Sequence, residues 1–249
     1  NSMSSDFHKL PSDHPNRVEL NDEVHARPPV SMQAPIRVSH LVCNSSPDTA
    51  EAEQQAINDL TAAHNLAPPA SGDNHYLADL GPIQFKWERH TEFIGYTFFV
   101  DGLPDQPFAE PAINQVPSAW LASLPGKVLL AAHVTVLPDD ISSLNYERLA
   151  AENFDGNVLI GAGIAAGTGT AMTDFRIHSD GFSRLLLANG NMSPQQTGRM
   201  VQRLLEIDSY RMMALLALPT ARALTPFLSR CEQELVQITI ALASLQDCN

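Results

Sequence analysis

Residues 75–100, HYLADLGPIQFKWERHTEFIGYTFFV, decide the fold. They read as three consecutive strands, His75–Leu80, Ile83–His90 and Glu92–Val100, joined by turns too short to hold a crossover helix. Upstream, Ile36–Cys43 is a further strand. Downstream, Lys127–Leu137 is a strongly apolar one, followed by a short helix over Ile141–Ala151. Asn157–Ala165, Thr170–Ser179 and Phe182–Ala188 then form a meander, with Asp180-Gly181 as its hairpin turn. Strands in runs with helices at the margins predict an α+β fold with a mainly antiparallel sheet, not alternating βαβ units.

Helix starts recur in one form, a hydroxyl residue followed by proline, which supplies an N-cap and a pre-set first turn. Ser46-Pro47 opens a helix to about Asn65. Ser193-Pro194 opens another, with Gln196 completing a capping box, and Thr225-Pro226 opens a third. Past Pro219 a heptad seam runs through Leu228, Cys231, Leu235, Ile238, Leu242 and Leu245. It reaches almost to the last residue without a glycine cap or a proline stop, as in a helix that continues further. The expected organisation is an irregular arm over 1–34, an α+β head over 35–192 and a helical stalk over 193–249.

The 249 residues carry a net charge of −13, which argues against a nucleic-acid partner, since phosphate binding needs a basic surface. Arg199, Arg203, Arg211, Arg222 and Arg230 form a locally basic stretch against Glu206 and Asp208. Cys43, Cys231 and Cys248 have no paired spacing, so neither a disulfide framework nor a structural zinc site is expected. The apolar runs Val128–Ala132 and Met212–Leu218 are far short of the roughly 20 residues that span a bilayer, and no signal peptide is visible.

Successive strand residues point to opposite faces, so Lys86, Glu88, His90 and Glu92 share one face, with Phe85, Trp87 and Phe93 on the other. Asp174, Arg176 and His178 likewise share a face, opposite Phe175 and Ile177. The arm adds Glu23, His25 and Arg27 just before Pro28-Pro29, which hold the backbone extended. Two readings stand. The rows are the wet face of a sheet, pairing across strands for a few tenths of a kcal/mol each. Alternatively, both rows and the arm converge on one partly buried ligand site, in which Arg27, Arg176 and Lys86 would receive an anion. No histidine spacing supports a metal, no G-x-S-x-G elbow supports a nucleophile, and no cofactor or catalytic residue is assigned. Val158–Ala166 imitates a dinucleotide fingerprint, but a strand-like segment follows where a helix must start. His40 and His133 read as hydrogen-bonded core histidines, and Cys43 as a core thiol.

Asn21–Pro28, Ser39-His40-Leu41, Lys86–Phe93, Thr173–Arg176 with His178, and Arg203–Pro219 together resemble a bacterial family of uncharacterised membrane-anchored proteins, the domain of unknown function 3422. The resemblance runs from about Pro15 to the end. It implies more coiled coil and a hydrophobic membrane segment beyond this chain, hence a cytoplasmic, soluble head anchored to a bacterial inner membrane. The leading expectation is a ligand-binding or regulatory module that self-associates through the Leu228–Leu245 helix. The alternatives are an enzyme with His25 or His90 as general base acting on a small anionic substrate, and, by analogy of layout, the head of a CorA-like ion transporter.

Overall fold

The computed structural model describes residues 11–18, 29–140 and 144–246, with side chains described as far as residue 240. Eight strands form one sheet: β1 (Ile36–Asn44), β2 (His75–Asp79), β3 (Gln84–Arg89), β4 (Phe93–Asp101), β5 (Val128–Leu137), β6 (Ile160–Ile164), β7 (Gly169–Ile177) and β8 (Ser183–Ala188). Their order is β2-β3-β4-β1-β5-β8-β7-β6. Every neighbouring pair is antiparallel except β5 with β8. The helices are α1 (Ala50–Ala63), α2 (Ser118–Ser123), α3 (Tyr146–Asn153), α4 (Pro194–Leu215) and α5 (Leu218–Gln246). The architecture is α+β.

Cross-strand partners share a face, which fixes the two sides of the sheet. Lys86 pairs with Thr97, Thr97 with His40, His40 with Ala132, and Ala132 with Ser183. Two and four residues further along β8, Leu185 and Leu187 oppose Thr173 and Ala171. All of these lie on one face, the α4 face, where Val201 and Leu205 pack against Val38, Val134, Val136 and Leu187. The other face carries Phe85, Trp87, Tyr96 and Phe98, covered by Ile57 and Leu60 of α1 and Trp120 of α2. Trp120 stands edge-on to Phe85, Tyr96 and Phe98 and donates its indole N–H to the Ala56 carbonyl at 2.7 Å. With both faces covered, all but one of the nine residues of β4 are buried.

Helix α4 starts where its capping box places it. The Ser193 hydroxyl accepts from the Gln196 N–H at 3.3 Å, and the Ser193 N–H donates to Gln196 Oε1 at 2.9 Å. The Thr225-Pro226 start is corrected: Pro226 lies inside α5, which begins at Leu218. The Thr225 hydroxyl turns back to the Ala221 carbonyl at 3.0 Å instead of capping forward. Along α5 the seam residues Leu228, Leu235 and Ile238 are exposed, as are Phe227, Val236 and Ile240 outside the seam. The stretch Pro194–Ile240 contains a window long and apolar enough to cross a membrane by length and composition, and none of that window is buried.

Candidate functional site

Strand β3 carries Lys86 and Glu88 on the α4 face, and the following turn carries His90. Lys86 is 5 % exposed and Glu88 9 %, so this row is not the wet face of a sheet. Lys86 Nζ lies 2.7 Å from Glu88 Oε1 and donates to Gln202 Oε1 at 3.1 Å. Gln202 Nε2 in turn donates to Glu206 Oε1 at 2.8 Å. Gln202, Glu206 and Tyr210, four residues apart, form one ridge of α4 beside its buried stripe of Val201, Leu205 and Ser209. Beyond the ion pair, His90 stacks on Phe93 with ring centroids 4.0 Å apart, and Tyr210 stands edge-on to both rings. The Tyr210 hydroxyl is 3.3 Å from His90 Nδ1.

Between this ridge and the sheet lies a cavity of about 520 Å³, counting its open mouth. Val30, Met32, Phe99 and Leu205 supply much of its apolar wall, and Lys86, Glu88 and Glu206 its charges. His40 closes the floor, its Nδ1 2.8 Å from Thr97 Oγ1 and its Nε2 3.4 Å from Ser209 Oγ. Burial, reinforced by the charge of Lys86, brings the His40 pKa down to about 3. On the opposite face His133, 3.0 Å from Ser39 Oγ and stacked on Phe182, is lowered by burial to about 4, although Asp180 pulls the other way. Both imidazoles are therefore neutral in the fold at pH values where the unfolded chain protonates them. Their contribution to stability is whole above pH 6.5 and is lost as the pH falls from there toward 4 for His133 and toward 3 for His40, by about 1 kcal/mol per pH unit for each. Urea unfolding at pH 5.5 should give a stability about 2 kcal/mol below that at pH 7, with roughly half the drop in His40→Gln. A flat profile would mean that these rings are protonated in the native state.

The second row does not join the first. Four strands separate β7 from β3, about 24 Å of sheet at roughly 4.8 Å per strand, and Asp174 points away from α4. The expected convergence of the two rows is thereby corrected. Parity along β7 also fails, because the register shifts between Thr173 and Ile177 and Phe175 takes a φ of +54°. Asp174 and His178 are buried together, with His178 Nε2 3.0 Å from Asp174 Oδ2 but out of line for a hydrogen bond. His178 Nδ1 lies 2.9 Å from Asp155 Oδ2, and Asn157 Nδ2 donates to Asp174 Oδ2 at 2.9 Å. Arg176 is exposed, and so are Phe175 and Ile177, the apolar row opposite it in the sequence reading. Parity failed at Phe93 too: the turn after β3 resets it, and Phe93 packs with Val42 and Leu130 on the α4 side.

Glu23, His25 and Arg27 lie outside the described residues. Of the expected site residues, the structure brings Lys86, Glu88 and His90 into one cavity and sets Asp174, Arg176 and His178 apart. The ridge Gln202, Glu206 and Tyr210 is not among the expected site residues. Its signal was there, as polar residues at four-residue spacing beside an apolar stripe. Among the described residues no three of His, Cys, Asp and Glu are grouped to hold a metal ion. Cys43 is buried, its thiol pushed up to about 11 by burial and then by Glu53, which suits a packing role.

No curated protein and no solved structure matches the chain. A family model described as "Protein of unknown function (DUF3422)" matches residues 12–249, nearly the whole length, and the chain belongs to that family.

Proposed function

We propose that this protein is a ligand-binding module whose site is the cavity between α4 and the β3-β4-β1 face. The observation that carries the reading is the Lys86–Glu88 pair, nine-tenths buried yet lining an open cavity with apolar walls. A buried ion pair gives little net stability over apolar residues of the same size, so its presence here calls for a role in recognition. The cavity's outer wall is α4, which leads into α5 after two residues, so a ligand that tightens α4 on the sheet also acts on the base of the exposed helix.

In this reading α5 is covered either by lipid, as a membrane anchor, or by a second copy along Leu228, Cys231, Leu235 and Ile238. Exposed apolar side chains outside the seam, such as Phe227, Val236 and Ile240, favour lipid. The head would then stand on the cytoplasmic side of a bacterial inner membrane.

The test is a thermal-shift screen of small metabolites, with mass spectrometry of molecules that co-purify with the protein. A true ligand at a hundred times its dissociation constant should stabilise by about 2.7 kcal/mol, raising the melting temperature by about 5–10 °C for a chain of this size. The gain should vanish in Gly95→Val. Gly95 lines the cavity, and a Cβ there would already sit 3.2 Å from His40 Cε1. Hits that survive Gly95→Val, or an empty protein that no metabolite stabilises, would refute the assignment.

A further inference from the structure

We propose that the ligand is an organic ammonium ion with an apolar body, an inference that rests on the cavity being a binding site. Sequence reasoning pointed to an anion, received by Arg27, Arg176 and Lys86. The geometry reverses the sign. Arg176 is exposed on a distant strand, and Arg27 is outside the described residues. Lys86 is the one lysine or arginine lining the cavity among the described residues, and its charge is matched by Glu88 at 2.7 Å. A second Lys86 donor is taken by the Gln202 side-chain oxygen.

What remains is acceptor capacity and negative charge. Glu206 lines the same cavity, half-buried, and among the described residues no cation pairs with it; its one contact across the ridge is the neutral Gln202 amide. With histidines counted neutral, the described residues of the lining hold two carboxylates, Glu88 and Glu206, against one ammonium, Lys86, a net of one negative charge among them. An incoming carboxylate or phosphate would meet that charge in a site where the described residues offer no fork of donors to receive it. An ammonium would meet the Glu206 carboxylate.

The rings support the same sign. Phe93, Tyr210 and His90 form a mutually packed aromatic corner of the cavity, and the face of an aromatic ring attracts a cation, more strongly as water is excluded. The apolar walls, Val30, Met32, Phe99 and Leu205, are left for the ligand's hydrocarbon. Carboxylate, aromatic corner and apolar trough together match a monocation with a hydrophobic tail.

Calorimetric titration of the full chain at pH 7.5 and low salt, with n-hexylammonium, hexan-1-ol and hexanoate, separates the possibilities. Hexylammonium should bind at least tenfold more tightly than hexanoate, with hexanol between them. Glu206→Gln, a half-exposed and nearly isosteric change, should weaken hexylammonium about tenfold and leave hexanol unaltered, a factor of ten being about 1.4 kcal/mol. Gly95→Val should remove binding of all three. Hexanoate binding as tightly as hexylammonium, and lost in Gly95→Val, would overturn the ammonium assignment while leaving the cavity a ligand site. Hexylammonium binding that persists in Gly95→Val would place it on the acidic surface and overturn the assignment too. No binding by any of the three would overturn both this inference and the proposed function.

Discussion

Glu88→Ala should lower the unfolding free energy by about 3–5 kcal/mol, because it strands the Lys86 ammonium in a site from which water is largely excluded. The side chains of the pair are 7 % and 11 % exposed, too little for solvent to screen the loss. The paired change Lys86→Met with Glu88→Leu should recover most of that stability, since it removes both charges and keeps apolar volume on the α4 face. Urea unfolding of the wild type, the single variant and the double variant would decide the matter. A loss below about 1 kcal/mol in Glu88→Ala would mean that the pair is hydrated like a surface salt bridge.

How far could the chain be read without coordinates? Period-two alternation placed Lys86 and Glu88 on one face and Phe85 and Trp87 on the other, and this is what the sheet shows, because parity is a property of the strand itself. The reading broke wherever the backbone left the regular strand. The turn before Phe93 moved that ring to the α4 side, and the shift after Thr173 parted Arg176 from Asp174 and His178. Neither event leaves a mark in the alternation, since a bulge adds a residue without changing composition. The opposite facing of Asp174 and Lys86 was beyond local reading for a different reason. It depends on a strand order, β3-β4-β1-β5-β8-β7, that sets distant segments side by side.

Helix α4 shows the same division. Its start was written in Ser193, Pro194 and Gln196, three neighbouring residues whose capping chemistry is local. Its docking partner was not, because an amphipathic stripe reports that something is covered and not by what. Only the sheet register shows that Val201 and Leu205 close over Val38 and Val134, which turns the polar ridge beside them into the wall of a cavity.

That docking can be broken at one atom, and the sign of the effect is diagnostic. Gly198 lies inside α4, where alanine would ordinarily stabilise a helix by about 1 kcal/mol. Here a Cβ on Gly198 would fall 1.8 Å from the Val30 carbonyl oxygen, a backbone atom with no rotamer to move to. The Val30–Met32 segment is itself tied down, the Met32 N–H donating to the Pro194 carbonyl at 3.0 Å and Met32 lying 2 % exposed in the core. Gly198→Ala must therefore push α4 off that segment, loosening Val201 and Leu205, whose full burial is worth about 1.5–3 kcal/mol each. The expected net effect is a loss of about 2–4 kcal/mol in place of the helix-propensity gain. Because Val30, Met32 and Val201 all line the cavity, ligand affinity should fall together with stability. A Gly198→Ala protein that melts higher than the wild type would show that α4 does not press on Val30, and the cavity wall drawn between them would have to be abandoned.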